Sequence, residues 1–82
     1  MWDVEKKLKM LAKLTVAGEE FDIEPGASFS GVVNDYSKQM GLSKVRVFLI
    51  EDGVEEEVSK DDAPLLIEEG MEIVVRPYEK AA

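Results

Sequence analysis

Residues 24–41 read EPGASFSGVVNDYSKQMG, and this stretch decides the fold. Ser28 is a good N-cap, because its hydroxyl can accept a hydrogen bond from a free backbone N–H in the first turn of a helix. The apolar residues that follow have the spacing of one helix face: Phe29, Val32, Val33, Tyr36 and Met40. The polar residues of the same stretch, which include Ser37, are expected on the other side. Gly41 can end the helix in a left-handed conformation. The stretch predicts one amphipathic helix that packing must stabilise, because its helix propensity is poor.

The segments before this helix alternate with the period of two that is typical of half-buried strands. One face of the first segment is apolar: Leu8, Met10, Ala12, Leu14 and Val16. Residues 3–14 also fit a helical spacing, but the hairpin that follows favours a strand. Ala17-Gly18-Glu19 predicts the turn, and Phe21 and Ile23 alternate with acidic residues in the second strand.

Three more strands are expected after the helix. They are an apolar strand over residues 45–50, a weak acid-rich strand that contains Val54 and Val58, and a last strand from Met71 to Tyr78. Asp52-Gly53 is a strong signal for a two-residue hairpin turn. Leu65, Leu66 and Ile67 are expected to cap one end of the core. The order predicts an α+β protein with a mixed four- to five-stranded sheet and one helix packed across it.

Composition excludes most catalytic chemistry. The 82 residues predict a single domain over residues 1–82, with residues 1–7 as an N-terminal extension. The chain has no cysteine and no histidine, which excludes disulfides, thiolate metal sites and histidine-based triads. It contains no phosphate-binding glycine loop. We therefore expect a protein that is not an enzyme and that has no cofactor and no metal.

The charge distribution narrows the choice of partners. The net charge of −8 repels phosphate backbones, so no nucleic acid is expected as a partner. No apolar run is long enough to span a membrane, so no membrane is expected as a partner and a cytoplasmic location is the default expectation. Other proteins are the expected partners. High Lys and Glu content with few thermolabile side chains favours a thermostable protein. Glu55-Glu56-Glu57 with Asp61-Asp62 is interpreted as a solvated acidic loop rather than a cation site.

These residues carry a resemblance to a known superfamily. Glu24-Pro25, the capping Ser28, the apolar helix positions and Gly41-Leu42 resemble the helix region of ubiquitin without gaps. The segment over residues 64–73 is similar to a signature of the sulfur-carrier branch, which includes the small subunit of molybdopterin synthase and the thiamine sulfur carrier. The resemblance implies a β-grasp, ubiquitin-like fold with the element order ββαββ(β).

One departure concerns the C-terminus. Ubiquitin and the sulfur carriers end in Gly-Gly, which an activating enzyme adenylates, whereas Ala81 and Ala82 stand at the end of this chain. The alanines fit a non-conjugated binding protein, a modifier with an altered tail, or terminal residues without a role. The first interpretation is favoured. The alternative is a sulfur carrier or protein modifier that an activating enzyme acts on at the Ala82 carboxylate.

The favoured interpretation places a protein-binding face on the sheet. Strand parity predicts that Val47, Leu49, Ile73 and Val75 point inward. It predicts that Phe48, Ile50, Val74 and Arg76 point outward, with Leu11 beside them. In ubiquitin, partners dock on this face, and Ile50 falls at the centre of the apolar patch. Arg76 and Arg46 are expected to form a basic rim for acidic partners. Two alternatives bury the face: coverage by an N-terminal extension that contains Trp2 and Val4, or a one-residue slip in register.

Overall fold

The computed structural model describes residues 10–59 and 61–78, which form five strands and one helix. The elements in chain order are β1 (Ala12–Val16), β2 (Glu19–Ile23), α1 (Phe29–Gln39), β3 (Val45–Glu51), β4 (Val54–Val58) and β5 (Glu72–Pro77). This order confirms the predicted α+β class and the single helix between two groups of strands.

The five strands form one mixed sheet in the order β2-β1-β5-β3-β4. The first and last strands, β1 and β5, lie side by side and run parallel. The other three pairs are antiparallel. The N–H of Lys13 donates to the Met71 carbonyl at 2.8 Å, and the N–H of Ala17 donates to the Val75 carbonyl at 3.1 Å, at the two ends of the parallel pair. The arrangement is compatible with a β-grasp fold.

β1 is the most deeply buried strand. Ala12, Leu14 and Val16 are fully buried, and they alternate with Lys13 and Thr15 as predicted. The remaining buried apolar residues of the core are Ile23, Phe29, Val33, Ile67, Ile73 and Val75. Met10, which the sequence placed on the same face, is 64% exposed because it precedes the strand. Leu8 lies outside the described residues.

Both hairpins close with two-residue turns. Ala17 and Gly18 have φ values of 49° and 89°, and Asp52 and Gly53 have φ values of 52° and 79°. Two successive positive φ values define a type I′ turn, whose twist matches that of the flanking strands. The second turn sets the register of the β3–β4 hairpin, which pairs Ile50 with Glu55.

The predicted caps of α1 are confirmed. The Gly31 N–H donates to the Ser28 Oγ at 3.2 Å, so Ser28 is the N-cap. At the other end Gly41 has a φ of 77°. Its N–H donates to the Lys38 carbonyl at 3.0 Å, and the Leu42 N–H donates to the Ser37 carbonyl at 2.8 Å. These two bonds form a Schellman motif, which satisfies carbonyls that the helix leaves unpaired.

The buried face of α1 differs from the prediction at one position. Phe29, Val33 and Ser37 are buried, whereas Val32, Tyr36 and Met40 lie on the flanks and are half-buried. The sequence placed Ser37 on the polar side, which is wrong. Ser37 lies eight residues after Phe29 and so continues the same stripe.

The expectation that residues 65–67 cap the core holds for one residue of the three. The Gly26 N–H donates to the Ile67 carbonyl at 2.8 Å, and the Ile67 N–H donates to the Ala27 carbonyl at 2.8 Å. This extended pairing buries Ile67, which is 1% exposed, but leaves Leu65 and Leu66 85% and 53% exposed. Alternation along the extended segment directs Leu66, the neighbour of Ile67, away from the core.

Ser37 provides a test of the packing of α1. Its hydroxyl is buried and has no hydrogen-bond partner among the described residues. An unsatisfied buried hydroxyl costs about 1–3 kcal/mol, and alanine is a better helix former by roughly 0.5 kcal/mol. We expect Ser37→Ala to raise the free energy of unfolding by about 1 kcal/mol in urea titrations. Ser30→Ala, at an exposed position of the same helix, is the control and should give a smaller gain. A loss of stability in Ser37→Ala would contradict the described packing.

Candidate docking face of the sheet

The sheet has one face that points away from α1, and seven residues of its last three strands form what we call the docking face. They are Arg46, Phe48 and Ile50 of β3, Glu55 and Glu57 of β4, and Val74 and Arg76 of β5. Phe48 lies opposite Val74, and Arg46 lies opposite Arg76. Since Ile73 and Val75 are 1% exposed and belong to the core, alternation places Val74 on the other face.

The apolar centre of the docking face is half-buried. Phe48, Ile50 and Val74 all have intermediate exposure. Leu11, which the sequence placed beside this patch, precedes β1 and is 47% exposed. It lies two residues before Lys13, whose partner is Glu72, so it is at the end of the face away from the two arginines.

Two guanidinium groups flank the Phe48 ring. The guanidinium carbon of Arg76 lies 4.7 Å from the centroid of the ring, and that of Arg46 lies 5.6 Å from it. Both distances fall within the range of cation–π attraction. The apolar stems of long arginine side chains also cover neighbouring apolar surface. The two arginines therefore hold the Phe48 ring in place and cover part of it, so the ring is not freely exposed.

Each arginine is also bound by a carboxylate of β4. Arg46 donates from Nε and Nη2 to the two oxygens of Glu57, at 3.1 and 2.9 Å. Arg76 donates from Nη1 and Nη2 to the two oxygens of Glu55, at 3.2 and 2.8 Å. Both pairs have the planar two-bond geometry that makes arginine–carboxylate contacts specific. The rim expected to be basic is therefore formed by ion pairs, and the four charges cancel.

The Arg46–Glu57 contact changes the acidity of both groups. The hydrogen bond to Glu57, assisted by charge attraction, raises the pKa of Arg46 above its usual value. The same hydrogen bond lowers the pKa of Glu57. Their side chains are 48% and 47% exposed, so water screens the pair and it adds little to stability. Its main effect is to orient the two side chains beside Phe48.

The sequence pattern predicted that Glu55 and Glu57 lie in a solvated acidic loop, whereas in the structure they bind the two arginines. The information was present in the Asp52-Gly53 turn. A two-residue turn pairs Phe48 with Glu57 and Ile50 with Glu55, which places both carboxylates on the face of the arginines. The three glutamates are consecutive in the sequence, but their side chains alternate between the two faces of the sheet. Only Glu55 and Glu57 lie on the face of the arginines.

Other predicted residues fall outside this face. Trp2, Val4, Ala81 and Ala82 lie outside the described residues, so coverage by an extension and activation at the C-terminus stay predictions. In the acidic loop, the Ser59 hydroxyl donates to Asp62 at 3.2 Å. Across residues 10–59 and 61–78, no group of three acidic side chains is arranged to hold a metal ion.

Comparison with known proteins adds no family assignment. No family model, no curated protein and no solved structure matches this chain. Within the described part of the chain, no helix is long and apolar enough to cross a membrane.

The contact between Arg46 and Glu57 can be tested by titrating the Glu57 carboxylate. Replacing Arg46 with methionine should raise the pKa of Glu57 toward its ordinary value, which carbon NMR of the side-chain carboxylates can follow. Because the folded pKa is lowered, the stabilisation by this pair is present above the ordinary carboxyl pKa. It is lost as the pH falls through the lowered value.

Arg46→Lys serves as the control, since it keeps the charge and loses the two-bond geometry. It should give a Glu57 pKa between those of the wild type and Arg46→Met. An identical Glu57 pKa in all three proteins would show that the contact does not form in solution.

Proposed function

We propose that this chain is a ubiquitin-like, β-grasp protein-binding module that binds other proteins through the docking face. The observation that carries the proposal is the cross-strand pair of Phe48 and Val74, with Ile50 two residues from Phe48 on the same strand, on the side of the sheet away from α1. The strand order and the position of the single helix are compatible with the fold that the sequence resembles. A chain without cysteine or histidine also suits binding better than catalysis.

The composition of the face favours a particular kind of partner. Phe48, Ile50 and Val74 would form the apolar centre, and the Arg46–Glu57 and Arg76–Glu55 pairs would form a polar rim. This is the usual anatomy of a protein interface. A partner of ordinary size buries about 800 Å² on each side. Because the rim charges cancel, we expect a partner with an apolar centre and charges of both signs, rather than a uniformly acidic one.

The proposal is tested with a matched pair of variants. A protein that binds to the immobilised wild-type chain is first purified. Calorimetry then measures its affinity for the wild-type chain and for each variant. Ile50→Ala should weaken binding by about tenfold or more, because it truncates the apolar centre of the interface. Leu65→Ala removes a leucine that is 85% exposed and lies outside the face, so it should leave the affinity unchanged.

A folding control accompanies this measurement. The amide spectrum of Ile50→Ala should keep its dispersion, because Ile50 is half-buried and outside the buried core. Equal affinity of wild type and Ile50→Ala would refute the proposed interface. Loss of the folded spectrum would identify Ile50 as a core residue and would also contradict it.

A further inference from the structure

The outer edge of β4 is a second surface suited to recognition. β4 is the last strand of the sheet order, and among the described residues no strand pairs with its outer edge. In a hairpin with a two-residue turn, the residues that flank the turn form a hydrogen-bonded pair. With this register, the backbone N–H and C=O groups of Val54, Glu56 and Val58 point toward β3. The backbone N–H and C=O groups of Glu55 and Glu57 point toward the free edge.

A groove with a mixed lining runs beside this edge, on the side of the sheet that faces α1, and its polar lining residues are Ser30, Asn34, Arg46, Glu57 and Ser59. Its volume is about 370 Å³, and it lies between the helix and the β3–β4 hairpin. Its apolar lining residues are Phe29, Val33, Val45, Val47, Val58 and Ala63. Val58 therefore belongs both to the groove and to the edge strand. Val54, which shares its face of β4, is 60% exposed.

Charge decides what can occupy the edge. β4 reads VEEEV, and the opposite edge strand β2 reads EEFDI. A second copy of the chain that paired either edge with β4 would place carboxylates beside carboxylates, which is destabilising. Glu56 is exposed and forms no ion pair with any described residue. It lies between Val54 and Val58 on the side of the groove, so the edge complements a cation flanked by apolar side chains.

We propose that the outer edge of β4 binds an extended peptide as an added strand, and that the peptide presents an apolar–x–basic–x–apolar pattern toward α1. The peptide backbone pairs with Glu55 and Glu57. The basic side chain lies against Glu56, and the apolar side chains lie against Val54 and the groove at Val58. Strand addition of this kind derives affinity from the backbone and specificity from alternate side chains. The peptide uses the backbone groups of Glu55 and Glu57 and the α1 side of β4, whereas the docking face presents the side chains of these two glutamates on the opposite side of the strand. Either proposal can therefore fail without the other.

The test uses the whole chain and a short capped peptide. The peptide has lysine at its centre, valine two residues before and two residues after the lysine, and threonine at the other positions. Titration should shift the amide signals of Glu55 and Glu57 and slow their hydrogen exchange. Glu56→Lys should weaken binding by about tenfold, and a peptide with glutamate at its centre should recover most of that loss. Glu20→Lys makes the same charge change on β2 and should leave the affinity within about twofold of wild type.

The same peptide with N-methyl groups on alternate residues separates edge pairing from simple charge attraction. Methylation of the backbone nitrogens that face the protein removes their hydrogen bonds, so binding through the β4 edge should be lost. Equal binding of the methylated peptide would overturn the proposal. So would shifts confined to β2 or to Phe48, Ile50 and Val74, an absence of binding, or equal effects of Glu56→Lys and Glu20→Lys.

Discussion

The parallel pairing of β1 with β5 is the contact on which the rest of the structure depends. It joins residues 13–16 to residues 72–75, so it closes nearly the whole described chain. It also buries Leu14 beside Ile73 and Val16 beside Val75. Parallel strands need a crossover between them, and here the crossover contains the helix and the β3–β4 hairpin. With β1 and β5 at the centre, β2 and β4 become the two edges.

That arrangement gives the two sheet faces different chemistry. The face toward α1 is closed by Phe29, Val33 and Ile67 and forms the core. The other face combines apolar side chains with arginine–glutamate pairs placed around Phe48. Exposed ion pairs contribute little stability, but they orient side chains and discriminate among charged partners. The core therefore stabilises the domain, and the outward face and the β4 edge are the surfaces at which we propose recognition.

Local patterns in the sequence predicted the parts of the fold that depend on neighbouring residues. The caps at Ser28 and Gly41 and the two hairpin turns were predictable because turn and cap geometry is set within a few residues. The outward position of Ile50 followed from alternation along one strand. The burial of Ser37 and the exposure of Leu65 were not predicted, because they depend on where the helix and the segment after β4 lie on the sheet. The pairing of the arginines required the register between strands.

The assignment of the two faces is tested most directly by nuclear Overhauser effects from the methyl groups of neighbouring β5 residues. The described register predicts contacts from Val74 to the Phe48 ring and from Val75 to Val16. It predicts no contact from Val74 to Val33 of the helix. Contacts from Val74 to Val33 or Phe29 would mean that β5 is shifted by one residue. The docking face would then be buried, and the assignment of the two faces of the sheet would be wrong.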